Sequence, residues 1–152
     1  MDDKLELIWR VFQEHCTWER HHEAQRGPAT SLLLVISAGI LGVITYDGSI
    51  NPSDLPLSIF LILQGLFGAI FVEKQYECFA KHQRRANKYR EMLDEIVPDA
   101  RIIALRKESD KENAAIYPRI SKVRLHRFWS ILHLLIAIIG VFLSAIIIYG
   151  II

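Results

Sequence analysis

The chain has 152 residues, 51% of them apolar, and a formal net charge of +1. That length sets an expectation of one domain. The near-neutral total conceals a distribution that no soluble enzyme explains as well, because all eighteen Lys and Arg residues lie outside three uncharged apolar runs.

Those runs are Ala29–Tyr46, Leu55–Val72 and Phe128–Ile152, of 18, 18 and 25 residues. A bilayer core about 30 Å thick needs roughly 20 helical residues to cross it, so each run qualifies as a span. In chain order, residues 2–26 come first and read as an amphipathic helix. Leu5, Ile8, Trp9, Phe12 and Cys16 recur at helical spacing, and Asp2, Asp3 and Glu6 suit the positive end of the helix dipole. The same three carboxylates stand where a signal peptide would be positive, so the first run is expected to serve as an uncleaved insertion signal. Gly27-Pro28 is expected to break or bend this helix before span one (29–46). Asp47-Gly48 and the stretch Asn51-Pro52-Ser53-Asp54-Leu55-Pro56 are turn chemistry, so spans one and two (55–72) form a tight hairpin. Pro56 fits the first turn of the second helix. From Glu73 to Ile96 there is no Gly or Pro, and Tyr76, Phe79, Ala86, Tyr89, Leu93 and Ile96 keep a helical stripe. The second helix is therefore predicted to continue to about residue 96, half of it beyond the membrane, until Pro98-Asp99 ends it. Residues 99–127 form a basic segment. In it Ile102, Ile103 and Leu105 suggest a short helix, Lys107–Asn113 a mobile connector, and Pro118 the start of a helix running straight into span three (128–150).

The predicted fold class is all-α: an integral membrane helical bundle with three transmembrane helices and a cytoplasmic helical stalk, one membrane domain over 1–152. Residues 47–54 hold two carboxylates and no cation, whereas residues 1–28 carry four cations and residues 73–127 carry fourteen against nine carboxylates. Loops rich in Lys and Arg stay in the cytoplasm. The N-terminus is accordingly placed inside, and the hairpin tip and C-terminus outside.

Small residues repeat within the runs as Ala38-xxx-Gly42, Gly65-xxx-Ala69 and Gly140-xxx-Ser144, where helices can approach closely. Gly39, Gly42, Gly65, Gly68 and Gly140 are the candidate packing or pore residues, either inside one protomer or between protomers. Three helices cannot enclose an aqueous pore alone, so any transport path needs a homo-oligomer. Lys81, Arg84, Arg85, Lys88 and Arg90 are the strongest charge run, either a solvated positive-inside face or a contact for anionic lipid or an anionic nucleotide. Of these, Arg84, Arg85, Lys88 and Arg90 are the candidate ligand or lipid contacts; nucleic acid is the less favoured partner.

Catalytic patterns are sparse. His15, Glu19 and His22 share one helix face, and Glu19-x-x-His22 has the spacing used in di-iron bundles. Such sites need a second pair, and only Glu73 and Glu77 are at hand, so no metal or cofactor is expected and ion pairs such as Glu19–Arg26 or Glu23–Arg26 are favoured. Arg10 with His15, and Arg119 with His126, satisfy the loose Arg-to-His spacing of HEPN-type ribonucleases, a cation for phosphate beside a general acid or base. A membrane-tethered ribonuclease of that kind is one alternative; a non-catalytic anchor for a soluble partner is another. Cys16 and Cys78 both fall on the predicted cytoplasmic side, where thiols stay reduced. His133, the one ionisable residue inside a run, is expected to be a neutral imidazole facing the interface.

The segments Trp18-Glu19-Arg20-His21-His22-Glu23, Glu73-Lys74-Gln75-Tyr76-Glu77 and Arg84-Arg85-Ala86-Asn87-Lys88-Tyr89-Arg90, set around a tight apolar hairpin, resemble the SLATT domains over residues 1 to about 96. Those are small bacterial membrane modules found near nucleotide-sensing defence genes. The resemblance implies an oligomeric inner-membrane effector, not an enzyme, that perturbs the bilayer when a soluble sensor or an anionic nucleotide signals. The third span is an addition to that two-span plan.

Overall fold

The computed structural model describes residues 2–46 and 48–150, the side chain of Asp2 apart. Asp47, in the predicted turn, and Ile151 and Ile152, at the end of the third run, lie outside the described residues. Four helices carry the chain: α1 (Asp2–Ile44), α2 (Leu55–Ile96), α3 (Ile102–Ile116) and α4 (Leu125–Tyr149), with single 3-10 turns at Pro52–Asp54, Pro98–Ala100 and Ile120–Lys122. No strand occurs among the described residues. Three of the helices, α1, α2 and α4, are long and apolar enough to cross a membrane.

Three local expectations are corrected. α1 runs through Gly27-Pro28 without a break. Proline removes one backbone hydrogen bond, but helix is already formed on both sides, and extending an existing helix costs far less than starting one. The charged stretch Lys107–Asn113 is no mobile connector but the body of α3. Its two Lys and two Glu are good helix formers and follow directly on Ala104, Leu105 and Arg106, with Arg106 and Asp110 paired one turn apart at 3.8 Å. Finally, Pro118 opens no helix continuous with the third run. Ile120–Lys122 is one 3-10 turn, Val123 is extended, and α4 starts at Leu125.

The residues divide into two compact units, Met1–Glu23 with Tyr76–Arg124 (unit 1) and Ala24–Gln75 with Leu125–Ile152 (unit 2). In unit 2, α1 and α2 form a hairpin closed at Asn51, whose N–H donates to the Asp54 carboxylate at 2.9 Å. α4 lies antiparallel to α2 at backbone contact. A methyl on Gly65 would sit 2.5 Å from the Ala137 nitrogen, and one on Gly140 would sit 2.8 Å from the Ile62 nitrogen. Ile44, Leu61, Ile136 and Leu143 make its apolar core. In unit 1 the buried apolar residues are Ile8, Ala86 and Leu93. There Asp94 accepts the Ile103 N–H at 3.2 Å, which seats the first turn of α3, and Arg101 makes the turn in the left-handed region (φ 49°).

Candidate functional site

Unit 2 buries polar side chains beside its apolar core and turns large apolar side chains outward. Thr30, Ser37, Ser58, Gln64, Ser130, His133 and Ser144 are buried, while Leu32, Val35, Phe67, Ile70, Ile138 and Phe142 are exposed. Helical phase sets this arrangement: Thr30, Ser37 and Ile44 recur every seven residues on α1, and Ser130, His133, Ala137, Gly140 and Ser144 follow one stripe of α4. The polar groups pair across the helices. Ser58 and Ser144 share a hydrogen bond at 2.8 Å. Gln64 Nε2 donates to the Leu33 carbonyl at 2.5 Å and to Ser37 Oγ at 3.0 Å. His133 Nε2 faces Thr30 Oγ1 at 3.4 Å, and the Ser130 hydroxyl donates to the Glu73 carboxylate at 2.6 Å.

His133 departs from expectation. It is wholly buried rather than facing outward, because its ring lies over Gly68, where the helix has no side chain to block it. Sequence reasoning missed this seam. The signal was present in the register of Gly68 with the small residues of α4, but an isolated His gives no sign of the partner helix that will cover it.

The predicted glycines fall into two sets. Gly65, Gly68 and Gly140 are buried against neighbouring helices of the same protomer; Gly39 and Gly42 are exposed, and a methyl on either would meet nothing within 4 Å. The second set, with exposed Ala38, Leu32, Val35 and Val43, leaves one face of α1 open.

Unit 1 gathers aromatic and imidazole rings between α1 and α2. His15 Nδ1 lies 3.1 Å from His82 Nδ1, so at most one of the two nitrogens carries a proton toward the other. Tyr89 stacks on His15 at 5.7 Å, Trp18 on His82 at 6.1 Å, and His22 lies 5.6 Å from His82. Burial, then the neighbouring His15 and His22, then Arg85 and Lys81 hold His82 below the ordinary histidine range. Burial, then Glu19, pushes the Cys16 thiol up against the opposing pull of Arg90 and Arg20. Both cysteines are free. Glu19 accepts from Gln83 at 3.3 Å, and among the described residues no group of three or more His, Cys, Asp or Glu is placed to hold a metal ion. Arg10 pairs with Glu6 rather than with His15. His126 is buried in unit 2, its carbonyl 3.1 Å from Ser130 Oγ, and Arg119 is exposed in unit 1.

Of the predicted basic contacts, Arg84, Arg85 and Lys88 are exposed. Arg90 is engaged within the fold: its guanidinium lies 5.4 Å over the Phe12 ring and donates to Asn87 Oδ1 at 2.7 Å. The same oxygen accepts Arg106 at 2.6 Å. Two cations thus converge on one neutral amide, lining a cavity of about 250 Å³ with Glu91, Ile103, Lys107 and Asp110.

Set against known proteins, the chain matches no family model, no curated protein and no solved structure.

Proposed function

We propose that the chain is a small multi-pass effector of the bacterial inner membrane, acting as a homo-oligomer that forms a pore or otherwise perturbs the bilayer in a defence or stress response. The observation that carries the membrane part is the inverted polarity of unit 2. Water-soluble bundles bury their Leu and Phe and expose Ser, Gln and His. Here Phe142 and Ile70 are outside while His133 and Gln64 are inside, the arrangement that lipid favours because a polar side chain facing hydrocarbon is costly. The bias of Lys and Arg puts the basic segment and the N-terminus in the cytoplasm and the C-terminus in the periplasm. The exposed Arg84, Arg85 and Lys88 then face anionic lipid headgroups or an anionic nucleotide signal, with a soluble sensor protein as the other candidate trigger.

The oligomeric part is supported by the open α1 face. A methyl on Gly39 or Gly42 would meet nothing within 4 Å, and small residues of this spacing let a second helix approach closely in lipid. The double substitution Gly39→Leu with Gly42→Leu is expected to leave membrane insertion intact while dissociating the oligomer and abolishing dye leakage from vesicles. Leakage equal to wild type would remove the pore reading.

A second reading, an anchor for a soluble partner, is favoured by a groove of about 450 Å³ in unit 1 lined by Leu5, Glu6, Trp9 and Leu93. It requires toxicity only when that partner is present.

A further inference from the structure

The cavity between α2 and α3 gathers positive charge that the fold does not neutralise. Asn87, Arg90 and Glu91 share one face of α2, at three- and four-residue spacing, and Ile103, Arg106, Lys107 and Asp110 share one face of α3. All seven belong to unit 1. Three cations and two carboxylates therefore line a space of about 250 Å³.

The cations are not simply paired off against the carboxylates. Arg90 and Arg106 both donate to Asn87 Oδ1, at 2.7 and 2.6 Å. A guanidinium can only donate, so the atom between them is the amide oxygen. Two like charges are thus held side by side on a group that carries none. Arg106 approaches Asp110 only to 3.8 Å, with 74% of the Asp110 side chain exposed, and an exposed pair of this kind is weak. Glu91 and Lys107 form no ion pair among the described residues. Phe12 holds the Arg90 guanidinium in place without cancelling its charge.

This is the composition of an anion site. Each guanidinium has five N–H donors and spends one on Asn87. The planar fork that remains matches the oxygens of a phosphoryl group two at a time, and Lys107 adds a point charge on a flexible stem. The volume sets how much of a ligand enters. Water occupies about 30 Å³ per molecule, so a tetrahedral oxyanion fits with several waters. A drug-sized molecule needs at least about 300 Å³. The phosphoryl group enters and whatever carries it stays outside.

We propose that Asn87, Arg90, Arg106 and Lys107 bind a phosphoryl group, and that the bound group clamps α3 to α2. α3 buries no residue; Asp94 on the Ile103 N–H and Arg106 on Asn87 tie it down. An anion between Arg90 of α2 and Arg106 and Lys107 of α3 adds a third tie and offsets the repulsion between the cations. A ligand that binds the docked helix better than the undocked one shifts the population toward docking. The inference deepens the anionic-signal part of the functional reading by moving the contact from Arg84, Arg85 and Lys88 to this cavity. It rests on that reading only for what the docking of α3 controls.

The test follows amide hydrogen exchange of the full chain in phosphatidylcholine nanodiscs while inorganic phosphate replaces chloride at constant ionic strength. Exchange across residues 102–116 is expected to slow saturably, with residues 24–75 unchanged. Arg106→Gln raises the half-saturating concentration about tenfold, the loss of one charged hydrogen bond. Lys107→Gln, which breaks no ion pair of the fold, raises it as well, so the test does not depend on α3 staying docked without Arg106. Asp110→Asn removes an opposing carboxylate and lowers it, a gain that a purely structural role does not produce. Arg84→Gln with Lys88→Gln leaves it unchanged. A phosphate-free arm, with phosphatidic acid replacing part of the phosphatidylcholine, separates the sources. Protection by dissolved phosphate assigns the site to a soluble phosphoryl compound; protection by phosphatidic acid alone, lost in Lys107→Gln, assigns it to a lipid headgroup. Protection given equally by chloride, protection indifferent to both Arg106→Gln and Lys107→Gln, or none in either arm overturns the inference. Saturable protection in preparations that release no dye keeps the site and discards the pore, whereas dye release without protection discards the site alone.

Discussion

Single glycines divide this protein's surface from its seams. Replacing Gly65 by Ala places a methyl 2.5 Å from the Ala137 backbone nitrogen, and backbone cannot yield as a flexible side chain can. Overpacking of this kind costs about 1–3 kcal/mol, so Gly65→Ala is expected to lower the unfolding midpoint in detergent, whereas Gly39→Ala leaves it unchanged or raised. Histidine chemistry gives a second expectation at this scale. His82 is held below its unfolded value by burial and by His15 and His22. The unfolded chain therefore binds its proton first as pH falls, and the stability due to neutral His82 is complete above the unfolded histidine value and declines as pH drops through the folded one. A thermal-unfolding series is expected to show this acid loss in the wild type and a shallower one in His82→Gln. The glycine pattern was legible in the sequence as spacing, but spacing does not say which face a glycine is on. Gly42 and Gly65 look alike until α4 is seen against α2.

The elements were legible where apolar periodicity is long and obscure where charge dominates. α2 announces itself through an unbroken stripe from Tyr76 to Ile96 and ends before Pro98. α3 was legible only at its start, where Ile102, Ile103 and Leu105 mark a short helix; from Lys107 to Asn113 every residue is polar and no member of the helix is buried, so no hydrophobic pattern carries it on. Its hold on unit 1 consists instead of polar anchors: Asp94 receives the Ile103 N–H, and Asn87 receives Arg106. Removing a cap of this type costs ~1 kcal/mol. Asp94→Ala is accordingly expected to speed amide hydrogen exchange throughout α3 while leaving the exchange of unit 2 unchanged. Pro28 taught the opposite lesson, since a residue that usually punctuates a helix is carried within α1.

At the scale of the whole molecule, three helices long and apolar enough to cross a membrane and the burial of Thr30, Ser37, Ser58, Gln64, Ser130 and Ser144 among them agree with the separation of charge along the chain. The sequence made the spans plain but not the seam among them, because that seam is assembled from residues far apart. Thr30 and His133 meet across 103 positions. Within the membrane reading, this separation governs how the protein is made. The hairpin of α1 and α2 leaves the ribosome with its own lock already available, Gln64 on Leu33. Thr30 and the cleft over Gly68 stay uncovered until α4 is synthesised. A newly made chain therefore passes through a stage in which its polar groove faces lipid, and it depends on the insertion machinery to shelter that groove until α4 arrives to cover it.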